Sequence, residues 1–225
     1  RDWSSDVCSS DLEGASPPAP GLHAFKHICG AIAKEGRGAA TVGLPGFFLQ
    51  AGQDELVLLE LAGSAALALA GRGAKWKKRL RKENGHWATY VACKKATYGT
   101  MNAALLAYKK LAAIFAEWGL AMSPRGPCAW GKAGGGGSQM AAMLHAGGLL
   151  CSSLPAEIAT RYIKMLDDAY GARDELAVAR GKVREYLGMA VDFRRDGICM
   201  LSQHGCIKKQ DRKSTRLNSS HANIS

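Results

Sequence analysis

Two stretches of the chain repeat apolar residues at the spacing of an amphipathic helix. Residues 100–118 and 156–170 both place apolar side chains at i, i+3, i+4 and i+7, which predicts helices with one buried face. Pro155 stands where the first turn of a helix accepts proline. The predicted buried faces are Met101, Ala104, Leu105, Tyr108, Leu111, Ala112 and Phe115, and Ile158, Tyr162, Met165, Leu166 and Ala169. Residues 56–70 are predicted to be helical in part.

Shorter apolar runs broken by glycine or proline predict strands. Residues 39–51 read AATVGLPGFFLQA, which is typical of a short buried strand that ends in a turn. The runs 140–146 and 149–151 flank Gly147 and Gly148, and two central residues that tolerate positive φ favour a two-residue hairpin there.

The last patterned region is residues 183–193. Leu187, Met189, Val191 and Phe193 alternate at period two, which predicts one strand with these side chains on one face. The sequence Arg195-Asp196-Gly197 then predicts a hairpin turn into residues 198–203. The order strand, helix, strand, helix, hairpin, helix, hairpin indicates a mixed α/β or α+β domain. The two long helices are expected to cover one face of a sheet that includes residues 183–193.

The remaining segments are predicted to be connections. Residues 13–33 are interpreted as a linker, and residues 131–139 (GKAGGGGSQ) as a flexible loop. Residues 1–12 and 211–225 are Ser-rich and aperiodic, which predicts disordered tails. Both ends resemble translated sequencing-adapter DNA and are set aside from the fold.

Composition and charge narrow the class of protein. Apolar residues make up 47% and charged residues 22% of the 225 residues, so the chain can bury a core. No apolar run reaches the length of a membrane span, and no signal-peptide pattern is present, so we expect an intracellular protein with reduced cysteines. The net charge of +11 falls entirely within residues 13–210, which is compatible with a polyanionic partner such as nucleic acid and equally with a merely basic protein surface.

The basic segment 75–82 (KWKKRLRK) has two interpretations. It is a solvated surface loop, or a patch that contacts phosphates with Trp76 beside it.

Short motifs add little chemistry of their own. Residues 126–132 fit the start of a phosphate-binding loop, but Ala133 stands where a hydroxyl must bind magnesium, and Pro127 removes a backbone donor. Two groups of His and Cys lack the spacing of a four-ligand zinc site. They are His23, His27 and Cys29, and Cys199, His204 and Cys206.

Five segments, in order along residues 34–210, together resemble the reverse transcriptase domain of copia-type retrotransposons. They are KEGRGAATVGLPGFFLQAGQDE (34–55), KKATYGTMNAALLAYKKL (94–111), SPRGPCAWGK (123–132), GSQMAAMLHAGGLL (137–150) and RGKVREYLGMAVDF (180–193). The resemblance implies a palm-like sheet with helices on one face, a fragmentary fingers region, and an RNA template with a DNA primer as partners. It implies no membrane and no small-molecule cofactor.

The family holds two Mg²⁺ ions on three aspartates, which activate the primer hydroxyl and neutralise the leaving pyrophosphate. Position by position, those aspartates fall on Gly43, Gly147 and Gly148. The resemblance assigns nucleotide contacts to Phe48, Tyr98 and Gly99. It assigns the primer-contact strand to Tyr186, Leu187, Gly188 and Met189.

Glycine supplies no side-chain oxygen, so no catalytic residue is intact and no metal cofactor is expected in this copy. Further positions also differ from the family by changes that one A-to-G or T-to-C substitution explains, which indicates a decayed or hypermutated element. These are Gly38, Ala39, Gly52, Ser123, Gly126, Ala146, Gly205 and Cys206.

The sequence leaves four functions open. The first is an inactive RNA-directed DNA polymerase domain. The second is an active polymerase that uses Asp54, Glu55 or Asp192 as ligands. The third is a non-enzymatic nucleic-acid-binding relic, and the fourth is a translated pseudogene without a function.

Overall fold

The computed structural model describes residues 17–207 apart from 101, 125, 173 and 206. The predicted tails 1–12 and 211–225 therefore lie outside the described residues. Within this range, residues 48–110 form one compact unit, which we call the inserted unit. Residues 17–47 and 111–207 form the other, which we call the main unit. The predicted domain 34–210 includes residues of both units.

The chain contains both helices and antiparallel sheets, so the predicted mixed α/β or α+β class is confirmed. The helices are α1 (Leu22–Glu35), α2 (Ser64–Ala70), α3 (Ala74–Lys77), α4 (Ala103–Glu117) and α5 (Ala156–Tyr170). The strands are β1 (Gly38–Gly43), β2 (Leu58–Ala62), β3 (Arg81–Glu83), β4 (His86–Ala92), β5 (Ala121–Ser123), β6 (Gly126–Ala133), β7 (Gln139–His145), β8 (Gly148–Leu154), β9 (Ala177–Ala179), β10 (Val183–Tyr186), β11 (Met189–Asp192) and β12 (Met200–Ser202). Among the described residues, no helix is both long enough and apolar enough to cross a membrane.

The main unit is built on a six-stranded sheet with the order β5-β6-β7-β8-β1-β9. The predicted strand in 39–51 is confirmed as β1, which lies between β8 and β9 and pairs with both. The predicted hairpin is also confirmed as β7 and β8, but its turn is Ala146-Gly147 rather than Gly147-Gly148. Gly148 already pairs with His145 as the first residue of β8, because Ala146 supplies the other left-handed position.

The predicted helix 156–170 is confirmed as α5, which packs on β8 and β1. Ser153 fixes its start, since its Oγ accepts a hydrogen bond from the Ala159 amide at 2.9 Å and donates to the Pro155 carbonyl at 2.8 Å. Tyr162 and Leu166 of the predicted face are buried. The other buried residues of the helix are Ala159, Ile163 and Tyr170. The buried face is thus turned by about one residue from the predicted one.

The predicted helix 100–118 is confirmed as α4. Tyr108, Leu111 and Phe115 of its predicted face are buried, together with Ala103 and Ala107. Phe115 packs edge-on against Trp130 of β6 with ring centroids 5.1 Å apart.

Helix α1 corrects the interpretation of residues 13–33 as a linker. Its apolar residues Phe25, Cys29 and Ile32 repeat at i, i+4 and i+7 and lie in the main hydrophobic core with Met143 and Leu150. The loop predicted over 131–139 is also too long, because Gly131–Ala133 continue β6 and only a short 3₁₀ turn (Gly135–Gly137) precedes β7.

The single strand predicted over 183–193 is wrong. Residues Leu187 and Gly188 take left-handed conformations and turn β10 back onto β11, with Tyr186 paired to Met189. The predicted turn at Arg195-Asp196-Gly197 is confirmed, with Gly197 at φ 71° and β12 paired to β11. These strands form a separate three-stranded sheet, so 183–193 does not share the sheet of β1, β7 and β8.

The inserted unit contains a three-stranded sheet with the order β2-β4-β3. Asn84 and Gly85 form its two-residue turn between β3 and β4. Residues 56–70 are helical only from Ser64, because Leu58–Ala62 form β2. The basic segment 75–82 is not one loop: it includes most of α3 and the start of β3.

Candidate functional site

The resemblance places Gly43, Gly147 and Gly148 at positions that share metal ions in the family, so they are expected to lie close together, and the structure brings them together. Gly43 at the end of β1 is the register partner of Gly148 at the start of β8. The Leu44 amide donates a 2.9 Å hydrogen bond to the Gly147 carbonyl, which joins the chain after β1 to the β7–β8 turn. The expected proximity of Gly43 to the hairpin turn is therefore confirmed.

The turn itself has the geometry of a two-residue hairpin with both central residues left-handed. Ala146 has φ 46° and Gly147 has φ 84°. Such turns follow the twist of the strands they join, but they disfavour side chains with a Cβ. Ala146 is exposed, whereas Gly147 is buried beneath Phe47.

The space around each glycine differs. A Cβ on Gly147 would lie 3.0 Å from the Phe47 Cβ, so the aromatic side chain would have to move. On Gly43 the nearest atom would be the Ala177 Cβ at 3.3 Å, and on Gly148 it would be the His145 carbonyl oxygen at 3.3 Å. A Cβ is therefore more crowded at Gly147 than at Gly43 or Gly148.

The residues present do not fit a magnesium site. Magnesium prefers hard oxygen ligands, usually with one or two carboxylates, and these three positions offer only backbone oxygens. Throughout the described part of the chain, no three His, Cys, Asp or Glu residues are grouped so that they could hold a metal ion.

The alternative carboxylates are engaged elsewhere. Asp192 binds Arg194 through both carboxylate oxygens at 2.6–3.1 Å, and the hydrogen bonds from Arg194 lower the pKa of Asp192. Asp192 also belongs to β11, which is not in the sheet of Gly43. In the inserted unit, the Asp54 carboxylate accepts a 3.4 Å hydrogen bond from the Asn102 amide.

The predicted nucleotide-contact residues lie in the inserted unit. The rings of Phe48 and Tyr98 pack against each other with centroids 4.8 Å apart, and Tyr98 is 60% exposed. Gly99 follows with φ 93°, a conformation that few other residues adopt. The structure thus brings these three predicted residues into one place.

The predicted primer-contact residues occupy the β10–β11 turn. Tyr186 and Met189 are buried in the core cluster that includes Phe25, so their side chains do not face a ligand. The Tyr186 hydroxyl donates a 2.8 Å hydrogen bond to the Met143 carbonyl. Burial raises the pKa of Tyr186 well above its usual range. Leu187 is half-buried and Gly188 is exposed at this turn.

The phosphate-loop motif and the His23, His27 and Cys29 group do not form sites among the described residues, and Cys206 of the other group lies outside them. Residues 126–132 form strand β6 rather than a loop, and the Lys132 ammonium donates to the Trp118 carbonyl at 2.8 Å. On α1, Cys29 is buried, whereas His23 and His27 are exposed. The sequence did not predict that Phe47 packs against Gly147. Phe47 and Phe48 are adjacent, and nothing in the sequence indicates which of the two rings contacts the turn.

Comparisons of the chain with protein-family models, curated proteins and solved structures found no match.

Proposed function

We propose that the chain is a reverse transcriptase domain by descent, of the copia type, and that this copy is catalytically inactive. The observation that carries the proposal is the pairing of Gly43 with Gly148 beside Gly147. Residues that lie about 100 positions apart, and that the resemblance places on the metal-binding aspartates, meet at one end of an antiparallel sheet. The sheet of β1, β7 and β8 with α5 packed on it is the corresponding palm-like core.

Inactivity follows from electrostatics. Two divalent cations need compensating negative charge, and three glycines in place of three aspartates remove three charges from one small site. Phosphoryl transfer depends almost wholly on metal positioning and charge stabilisation, so the loss of these ligands removes the catalytic step.

Nucleic-acid binding does not depend on that site and is the second candidate function. The chain carries a net charge of +11, and all six cationic side chains of residues 75–82 are exposed. The Lys75 ammonium and the Arg79 guanidinium both lie 5.7 Å from the Trp76 ring centroid, so two cations contact one aromatic ring. Such a segment suits a phosphate backbone and would bind RNA or DNA in a salt-dependent manner.

The test is primer extension on an RNA template with Mg²⁺ or Mn²⁺. We expect no extension by the chain as it stands. We expect metal-dependent extension when Gly43→Asp, Gly147→Asp and Gly148→Asp are combined, because Asp tolerates left-handed backbone better than most residues. The matched control combines Gly43→Asn, Gly147→Asn and Gly148→Asn, which adds similar volume without charge and should stay inactive.

Thermal melting and primer–template binding must accompany these assays, because the Asp at position 147 displaces Phe47. Extension by the unmodified chain would overturn its assignment as inactive. A restored triple variant that folds and binds primer–template, yet incorporates no nucleotide, would overturn the assignment of these three positions as the site that was lost.

A further inference from the structure

Strand β2 (Leu58–Ala62) is an edge of the sheet in the inserted unit and lacks the usual protection of an edge. The sheet order β2-β4-β3 leaves one side of β2 without a neighbouring strand. Natural edge strands are kept from pairing with other chains by lysine, proline, bulges or very short length. Strand β2 has five residues, contains no Lys, Arg or Pro, and pairs with β4 without a register shift.

The other edge strands of the described sheets differ from β2. Strand β3 has three residues, of which two are Arg81 and Lys82. Strand β5 has three residues and a register shift between Met122 and Ser123. Strands β9 and β12 also have three residues each, and the four residues of β10 include an arginine and a glutamate. Among the described strands, β2 is therefore the one longer edge without protection.

Strand β2 also exposes apolar side chains on both faces of its sheet. Leu58 is 60% exposed and Leu59 is 41% exposed, and successive residues of a strand point to opposite faces. Leu56, which precedes the strand, is 79% exposed. Residues 53–71 include acidic residues but no Lys or Arg, so this edge does not attract a phosphate backbone. The chemistry of the edge suits an apolar strand instead.

Two hydrogen bonds beside β2 show which of its backbone groups are free. The Gly63 amide donates to the Trp87 carbonyl at 2.7 Å, and the Cys93 amide donates to the Val57 carbonyl at 2.9 Å. In an antiparallel pair, every second residue bonds to the partner strand, so the odd-numbered residues of β2 bond to β4. The even-numbered residues point their N–H and C=O groups to the open side; they are Leu58, Glu60 and Ala62. In the described part of the chain, these outward groups have no backbone hydrogen-bond partner.

We propose that β2 pairs with β2 of a second copy of the chain, antiparallel and across a two-fold axis at Leu59, to form a homodimer. In this register Leu58 of each copy lies opposite Glu60 of the other. Each of these two pairs exchanges two backbone hydrogen bonds through the outward groups. A register centred on Glu60 is disfavoured, because it places two carboxylates directly opposite each other.

Side-chain packing favours the same register. Leu59 is the register partner of Val91 in β4, so the axis extends this pair into a continuous apolar row across both copies. The two Leu59 side chains form a non-hydrogen-bonded pair, which is the closer kind of cross-strand pair. Leu61 lies opposite Val57 of the other copy in the next row on that face. The edge is thus complementary to itself in hydrogen bonding and in apolar contact, which identifies the partner as a second copy.

The dimer is closed and does not extend into a filament. Pairing uses the β2 edge of both copies, and the outer edges of the combined sheet are the two β3 strands. Arg81 and Lys82 are exposed on β3 and disfavour further pairing there. One short strand pair buries little surface, so we expect a weak, reversible dimer.

The first test is sedimentation velocity of the whole chain between about 1 and about 500 µM. We expect a monomer–dimer equilibrium. Leu59→Lys places two cations at the axis and should weaken dimerisation by about tenfold or more. Leu22→Lys is the matched control, since it adds the same charge at an exposed leucine on α1 and should not change the equilibrium. A monomer throughout this range, or equal dimerisation of the Leu59→Lys variant, would overturn the proposal.

The second test removes one backbone donor and keeps the ladder to β4. Glu60→Pro deletes an N–H that points to the open side, and edge strands tolerate proline at such positions. Glu60→Thr is the matched control, because it also removes the carboxylate that lies 3.7 Å from His86 but keeps the N–H. We expect the threonine variant to dimerise and the proline variant to stay monomeric, with melting curves that show both folded. A folded proline variant that dimerises contradicts strand pairing, and if it does not fold, Leu59→Lys decides.

A crosslinking experiment tests the register. After oxidation, Leu59→Cys should form a disulfide between the two copies, because the paired Cα atoms at the axis lie within disulfide range. Mass spectrometry of non-reduced peptides should place position 59 at both ends of the bond. Leu61→Cys is the control and should not crosslink to itself, since Leu61 lies opposite Val57. Equal crosslinking of both variants, or association only when RNA is added, would overturn the proposal. None of these measurements depends on polymerase activity.

Discussion

The β7–β8 and β10–β11 hairpins each turn through two left-handed residues, the second of which is glycine. The two turns differ in which of these residues packs against the rest of the protein. Ala146 and Gly147 have φ values of 46° and 84°, and Leu187 and Gly188 have values of 56° and 70°. In the first turn the glycine is buried under Phe47 and the alanine is exposed. In the second turn the glycine is exposed and Leu187 packs against the core cluster.

The difference shows two ways in which a fold keeps an unfavourable backbone conformation. At Gly147 the surroundings leave little room for a Cβ, so glycine is required both by φ and by packing. At Leu187 a left-handed leucine costs about 1–2 kcal/mol, and contact of its side chain with the core offsets that cost. The same turn geometry therefore predicts different tolerance to substitution.

The largest expected effect is that of Gly147→Ala. The Cβ meets Phe47 at 3.0 Å and the φ is 84°, so we expect the free energy of unfolding to fall by about 3 kcal/mol in urea titrations. Gly197→Ala is the matched control in the same unit, since Gly197 has φ 71° and open space around it. The control should lose only about 1 kcal/mol. Equal losses in the two variants would contradict crowding by Phe47.

A smaller loss of stability is expected when the hydrogen bond between the β10–β11 and β7–β8 hairpins is removed. Tyr186, next to the second turn, donates to the Met143 carbonyl in β7, and Tyr186→Phe should lower the free energy of unfolding by about 1 kcal/mol. Tyr90→Phe is the control, because Tyr90 donates to Glu83 at the surface and its loss should cost little.

The same tyrosine predicts a pH dependence. Because burial raises the folded-state pKa of Tyr186, the stability it contributes is fully present below the ordinary tyrosine pKa of about 10 and is lost as pH rises toward the folded value. We therefore expect melting temperatures to fall above about pH 10 and to fall less steeply in Tyr186→Phe. An unchanged slope in that variant would assign the alkaline loss to other groups.

The smallest effect tests the first position of each turn, which is exposed at Ala146 and half-buried at Leu187. Asparagine tolerates the left-handed region, so Ala146→Asn should raise the free energy of unfolding by about 0.5 kcal/mol. Leu187→Asn should not stabilise the protein, because the gain in backbone preference is opposed by the loss of core contacts. Thermal melting of both variants measures the two effects. Stabilisation by Leu187→Asn would contradict the role of core contacts at this position.

The sequence predicts an element of this fold well where the spacing of its apolar residues continues without interruption. Helix α5 was predictable over its full length because its apolar period continues from Ala156 to Tyr170 behind a proline. The β10–β11 hairpin was not, because a two-residue turn reverses the alternation: Arg184 and Tyr186 are buried before it, and Met189 and Val191 after it. Because Leu187 in the turn is also apolar, the residues from Leu187 to Phe193 alternate without a break, and the sequence shows no sign of the turn.

The candidate site shows the same limit. The meeting of Gly43 with Gly148 could be predicted only through the resemblance, since pairing between distant strands leaves no local pattern. The packing of the buried Arg184 on the Phe193 ring could not be predicted at all, because Arg184 lies on β10 and Phe193 follows β11. Their proximity follows from tertiary packing, which single-segment periodicity does not record.

The pairing of β1 with β8 and β9, which both follow it in the chain, has a consequence for biosynthesis. Its partner β8 is translated about 100 residues later, so at roughly 5–20 residues per second the strand waits on the order of 5–20 s for it. The inserted unit lies between β1 and β8 in the sequence, so its residues are all translated before β8 emerges. Pairing across so long a separation is slow, and an unpaired apolar strand is prone to associate with other chains. Recovery of soluble protein should therefore depend strongly on chaperones and on translation rate.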